Sequence, residues 1–391
     1  MEIYSKGTLE DAQDIIDFAD YIFSKSAAPH DFASLIPKLY GEGRMTQQYH
    51  YLVKEDGKIR AMLCVLPIHF KVAGIELKVG CVGTVSVHPR ARGKGYMQKL
   101  LTFALDEMKA EGYDYSLLGG QRQRYEYFGY EPAGVKLDFT LTSDNVRHKY
   151  RGLDADHITF EELTEASTLL DDVFDLYQKG KVSGARNKEQ FSDLLRTWNA
   201  TPYVILQNGM FAGYLSLSKD NGMIYEIELT DIDLLPSVSK SLMAYKGLPD
   251  LHFTLPAYDK DKIRRLGSVC DMYKVGYQHN YNMFKYSPVI EAYMKCKALE
   301  SRLQDGRFVL RIESGETVDI QVRSGEVIVE HIDGENGDVQ PDAILSASEA
   351  TALLFSPLSS YAGFSAEDES QPNCPQGWFP LPLFTPPQDC C

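Results

Sequence analysis

Apolar positions recur at helical spacing over residues 8–24, at Leu9, Ala12, Ile15, Ile16, Ala19, Ile22 and Phe23. They predict an amphipathic helix capped by Thr8, with Asp11 three positions on and Asp14 and Asp17 on its polar side. The pattern then shifts to short β-rich runs at 49–56 and 59–70, joined by Glu55-Asp56-Gly57-Lys58, a hairpin signal. A further strand is predicted over 74–88. A helix follows over 96–111, built on Met97, Leu100, Leu101, Phe103, Ala104 and Met108 and stopped by Gly112. The short run Tyr113-Asp114-Tyr115-Ser116-Leu117-Leu118 completes a strand, loop, helix, strand order, a βαβ unit.

From about residue 155 the pattern repeats in weaker form. Residues 203–217, broken at Asn208-Gly209, parallel the hairpin at 51–66; strands are predicted at 223–229 and 251–255, a helix at 259–267 and a strand at 277–285. Where the first unit has a Gly-rich loop, this one has Thr230-Asp231-Ile232-Asp233-Leu234-Leu235-Pro236. That run offers no paired glycines or basic residues to a phosphate, so the second unit reads as inactive support. A third region begins near 287 with a helix at 288–303. Strands follow at 308–312, 317–322, 326–330 and 343–346, then a helix at 347–354. Residues 362–391, rich in Pro, Gly and polar residues, read as a tail laid over a surface. The expected division is 1–150, 151–286 and 287–391, within an α/β (α+β) class of mixed sheets.

Composition narrows the function. The chain has 391 residues, 44% apolar and 24% charged, an ordinary globular mix that needs more than one core. Its apolar runs are too short to span a bilayer, and no apolar signal core follows Met1-Glu2-Ile3. Residues 1–150 balance acid and base, so the net charge of −15 lies in the remainder. An acidic chain disfavours nonspecific nucleic-acid binding and is compatible with cationic acceptors such as amines. The cysteines at 64, 81, 270, 296, 374, 390 and 391 form no Cys-x-x-Cys pair and no zinc-type spacing. They read as reduced thiols of a cytoplasmic protein, and no metal is expected.

The chemistry is concentrated in Val85-Ser86-Val87-His88-Pro89-Arg90-Ala91-Arg92-Gly93-Lys94-Gly95-Tyr96-Met97. A turn of this kind, between a strand and a helix, aims successive backbone N–H groups at one point, and the helix N-terminus adds partial positive charge. Glycines at 93 and 95 permit positive φ and close approach, giving an anion nest suited to a pyrophosphate. Arg92 and Lys94 add cationic charge. Here the sequence resembles the GNAT acetyltransferase superfamily, whose loop Arg/Gln-x-x-Gly-x-Gly/Ala is filled by Arg90, Gly93 and Gly95. The resemblance implies acetyl-CoA as co-substrate. Pantetheine would lie along Val85, Ser86 and Val87, the pyrophosphate on residues 92–97, and Gly120 and Gln121 would complete the cofactor contacts. A main-chain N–H near Val87 would polarise the thioester carbonyl.

The second signal is Gln121-Arg122-Gln123-Arg124-Tyr125-Glu126-Tyr127-Phe128-Gly129-Tyr130. By the same resemblance Tyr125, four residues before Gly129-Tyr130, protonates the departing thiolate, with Tyr127 as the second candidate. A packed core tyrosine is the other role open to Tyr125. Arg122 and Arg124 are open to CoA phosphates or to solvent, and His88 to catalysis or to a structural place at the strand end.

The whole layout resembles the Eis-like (enhanced intracellular survival) acetyltransferases. These carry an active GNAT domain, a degenerate GNAT-like one and a sterol-carrier-protein-like C-terminal domain. That likeness implies a terminal carboxylate acting as general base, here that of Cys391, although the tail ends Asp389-Cys390-Cys391 where the family pattern has an aromatic residue. It also implies a small-molecule amine acceptor, of polyamine or aminoglycoside type, and allows a homo-oligomer. The rival readings are a protein lysine or N-terminal acetyltransferase and a non-catalytic CoA- or lipid-binding protein.

Overall fold

Strict alternation along the strands sets how the first sheet is covered. In a computed structural model that describes residues 2–25, 29–313, 315–332, 339–362 and 374–391, Val53, Ala61, Leu63 and Val65 face one way. They pack under helix Tyr96–Ala110 through Leu100, Leu101, Ala104, Leu105 and Met108. Leu52, Met62 and Cys64 face the other way, under Ile15, Phe18, Ala19 and Ile22 of helix Ala12–Ser24. The two-residue turns at Asp56-Gly57 and Ala73-Gly74 both take positive φ, which matches the strand twist and closes the hairpins.

The first sheet runs in the order Glu2–Lys6, His50–Glu55, Lys58–Val72, Ile75–Val87, Tyr115–Leu118, His279–Met283, Glu131–Ala133. Val182–Gly184 is added on the far end of Lys58–Val72. The second sheet is ordered Met272–Gly276, Lys136–Thr142, Asp250–Pro256, Met223–Leu229, Met210–Ser218, Ala200–Gln207, Ile158–Glu162. The third has four strands, Glu326–Ile332, Thr317–Arg323, Gly306–Ile312 and Ala343–Leu345. The chain is thus a mixed α/β protein.

The sheets do not divide the chain at 150 and 286. Lys136–Thr142, from the first stretch, sits inside the second sheet, paired with both Asp250–Pro256 and Met272–Gly276. His279–Met283, from the second stretch, sits inside the first sheet between Tyr115–Leu118 and Glu131–Ala133. Periodicity finds a strand but not the non-local edge it completes. One core cluster joins the first sheet, through Val79, Cys81, Tyr115 and Leu117, to helix Ser287–Glu300 and the third sheet.

The tail corrects the reading of a strap over a surface. Trp378, Leu381, Leu383, Thr385 and Gln388 are wholly buried. Trp378 donates to the Gln304 carbonyl, Val135 N–H to the Leu383 carbonyl, and Gln278 and Thr385 exchange two hydrogen bonds. The prolines break regular structure without preventing burial, because neighbouring side chains satisfy the backbone. Residues 363–373 of the same stretch lie outside the described residues.

Candidate active site

Strands Ile75–Val87 and Tyr115–Leu118 run parallel and pair only from Val79↔Tyr115 to Val82↔Leu118. Beyond that point residues 83–87 and 119–121 no longer pair with each other, the arrangement that leaves a slot between two parallel strands. A bulge lies at this point: the register against Lys58–Val72 slips between Met62 and Cys64, and Thr84 takes φ +46°. Val85 and Val87 are half-buried, and Ser86 is buried with its hydroxyl donated to the Thr84 carbonyl at 3.0 Å.

Helix Tyr96–Ala110 starts at the mouth of this slot from Gly95 in the left-handed region, φ +75°, with Gly93 at φ +82°. A Cβ at either glycine would meet nothing within 4 Å, so the space beside the turn is open. Arg92 and Lys94 N–H reach carbonyls only at 3.5 and 3.4 Å. Among the described residues no protein acceptor takes the N–H groups of Gly93, Gly95, Tyr96 or Met97. The turn is therefore a cradle of free amides at a helix N-terminus, which fits a diphosphate.

The side chains around it divide. Arg92 is exposed at the cradle. Lys94 turns to Glu55 at 2.5 Å and lies over the Tyr96 ring, while the Tyr96 hydroxyl sits between the carboxylates of Glu2 and Glu55 with its one proton for either, leaving the cradle its backbone amide alone. His88 accepts from Arg90 N–H and stacks on Phe18 and Tyr21. Burial and the cations Arg60, Arg90 and Lys25 hold it below the usual histidine range, in a capping and packing place. Replacing Gly93 with alanine puts a side chain where φ is positive, at a cost of about 1 kcal/mol. The expected result is a KM for acetyl-CoA raised roughly 5–10-fold with little change in the acceptor KM, read by steady-state kinetics.

Across the slot, Gly120 takes φ +131° and lies against the Tyr125 ring; its carbonyl accepts from Asn280 at 3.0 Å. Tyr125 is 7% exposed and meets Tyr130 edge to face. Burial pushes its phenol upward, against a smaller pull from Arg124. Tyr127, 85% exposed, points away from this packing. Arg122 is held by Glu126 and Glu131, whereas Gln121 and Arg124 are exposed.

The last residue enters the same region. Cys391 N–H donates to Cys81 Sγ at 3.4 Å and Cys391 Sγ to the Cys81 carbonyl at 3.3 Å. A Cβ placed on Gly83 would lie 2.6 Å from Cys391 Sγ, 2.8 Å from its carbonyl oxygen and 2.9 Å from its carbonyl carbon. Side chains that the sequence did not single out hold the approach. Trp198 donates to the Pro387 carbonyl, Lys38 to that of Gln388, and Gln388 to the Leu195 carbonyl and Ser216. Arg186, 1% exposed, clamps Asp389 with two hydrogen bonds. A chain of hydrogen bonds, Thr84–Tyr40–His50, runs beside the bulge at 3.0 and 2.9 Å. Hydrogen bonding to Cys391 and the nearby His50 draw the Cys64 thiol down to about 6 against burial.

The sequence of residues 4–133 matches the family model for an acetyltransferase (GNAT) domain. No curated protein sequence matches the chain. Among solved structures, a GCN5-related N-acetyltransferase from Anabaena variabilis superposes with TM-score 0.62 at 14% identity, over 90% of this chain and 89% of that one. One from Kribbella flavida gives 0.60 at 14%, over 90% and 89%. Eis1 from Mycobacterium abscessus gives 0.58 at 13%, again over 90% and 89%. At such identities the likeness is one of fold. Among the described residues no group of His, Cys, Asp or Glu could hold a metal, and no helix is long and apolar enough to cross a membrane.

Proposed function

We propose that this acetyl-CoA-dependent N-acetyltransferase, with its GNAT domain in residues 4–133, acetylates a primary amine of a small polyamine or aminoglycoside-like molecule. We further propose that the carboxylate of Cys391 is the base. The seating of Cys391 against Gly83, at the opening of the slot, is the observation that carries this reading. A carboxylate there would take up the proton that an ammonium must lose before attack.

The acceptor class has a second support in charge. His88 ties the end of the slot strand to the face of helix Ala12–Ser24. That helix carries Asp14, Asp17 and Asp20, of which Asp20 accepts from Phe32 N–H, and exposed carboxylates such as Asp14 and Asp17 are compatible with a multiply cationic acceptor. In this scheme the amides of 93–97 hold the diphosphate of acetyl-CoA, which supplies the activated acetyl group. An amide of 83–87 polarises the thioester carbonyl, and Tyr125 returns a proton to the thiolate. The domain reading extends to a degenerate second GNAT-like unit and a third, sterol-carrier-like unit that clamps the tail. It places the enzyme in the cytoplasm.

The test is CoA release with spermidine, an aminoglycoside and a lysine-containing peptide as acceptors. Turnover on the small amines alone is the expected result. Turnover on the peptide alone would replace this acceptor class, and none on any amine would refute the reading.

A further inference from the structure

The second sheet opens in the same way as the first, and its slot has a chemistry of its own. Strands Met223–Leu229 and Asp250–Pro256 pair in parallel only at Met223↔His252 and Ile224↔Phe253. Beyond them lies a cavity of roughly 300 Å³, closed on one side by Phe384, Pro386 and Pro387 of the tail. Its volume is at the lower end of the range of small-molecule sites. Tyr177, Tyr214, Tyr225, Phe253, Tyr258 and Phe384 line it with aromatic surface.

Two charge clusters reach its wall, each with one cation between two carboxylates. Arg186 holds Glu226 at 2.7 Å and Asp389 at 2.9 Å. Lys262, 7% exposed, holds Glu228 at 2.9 Å and Asp259 at 2.7 Å. By formal charge the Lys262 cluster carries one excess negative charge, while Asp389 of the Arg186 cluster also faces Lys38. Glu228 keeps 42% of its side-chain surface accessible while lining the cavity, so one of these carboxylates is open to an occupant. At the exposed rim, Lys181 is paired with Glu300, Asp261 with Arg264, and Lys179 is exposed. The loop that would cradle a phosphate carries Asp231 and Asp233 at the helix start instead, so a CoA-like anion is disfavoured.

We propose that this second slot binds a small organic cation with an aromatic or apolar body. The ammonium would sit at the Glu228 carboxylate and the body against the tyrosines, where ring faces also attract a cation. Glu226 on the cavity wall is joined through Arg186 to Asp389, two residues before Cys391 in the tail. The inference does not depend on which amine is acetylated.

The experiment uses the full chain, with tryptamine and the similarly sized acid indole-3-propionate in calorimetry, and 5-bromotryptamine soaked into crystals for anomalous scattering, all without acetyl-CoA. The expected results are bromine density between Met223–Leu229 and Asp250–Pro256, at least tenfold weaker binding of the acid, and about fivefold or greater loss of tryptamine affinity in Glu228→Gln. Bromine only in the slot by Gly83, bromine in neither slot, or equal binding of acid and amine would each overturn the proposal. The bromine density and the acid–amine comparison use the wild-type chain, so they stand even where the variant folds poorly. An acceptor assay that fails while bromine occupies this cavity separates this site from the acetylation reading.

Discussion

Tyr125→Phe is expected to lower kcat for acetyl transfer by roughly 10²–10³-fold, within the range that general acid–base catalysis supplies. KM for acetyl-CoA is expected to hold within about twofold, because the ring stays. Phenylalanine keeps the packing against Gly120 and Tyr130 and removes only the hydroxyl, so the variant is expected to fold as the parent does. Burial favours the neutral phenol and raises its pKa. The donor form therefore persists through neutral and mildly alkaline pH, and loss of the proton would set in only above the ordinary tyrosine value near 10. Steady-state thiol release across pH checks both parts. A variant with half of the parent's kcat would leave Tyr125 a packing residue, and a fall in wild-type rate near pH 8 would assign the donor elsewhere.

How much of this was legible in the sequence depends on whether the cause was local. The hairpin turns at Asp56-Gly57 and Asn208-Gly209 were readable because positive φ at both turn positions selects such residues. The amide cradle was readable because Gly93 and Gly95 serve the chain at their own positions. Tyr125 could be chosen over Tyr127 only by resemblance, and the difference in burial between them is a matter of tertiary packing. The exchange of Lys136–Thr142 and His279–Met283 between sheets left no trace in periodicity, since either strand alternates equally well on any edge. Thr84 gave no sign of its positive φ, because a bulge needs no glycine when the strand partner enforces it. Arg186, Trp198 and Lys38 looked like ordinary surface or core residues; they matter through a tail that lies about 190 to 350 positions along the chain. Distance in sequence hid them, and a tail rich in Pro, Gly and polar residues suggested a strap over a surface where the fold has an anchored insert.

The other large effect is expected from a single methyl group. Gly83→Ala adds a carbon within 3 Å of Cys391 Sγ, carbonyl oxygen and carbonyl carbon, closer than atoms pack. Gly83 does not need the left-handed region, so the backbone itself accepts alanine and the clash falls on the tail alone. The earlier anchors at Asp389 and Gln388 would hold, and only the last residues would be expelled. If the terminal carboxylate is the base, kcat falls by at least about 10²-fold with a melting temperature within a few degrees of the parent's. Deleting Cys390 and Cys391 is expected to do the same. Cys391→Ser separates the two groups on the last residue: it keeps the carboxylate, changes the thiol and should retain most of the activity. The reverse pattern, full activity in Gly83→Ala and none in Cys391→Ser, would move the chemistry from the carboxylate to the sulfur, beside Cys64 and Cys81.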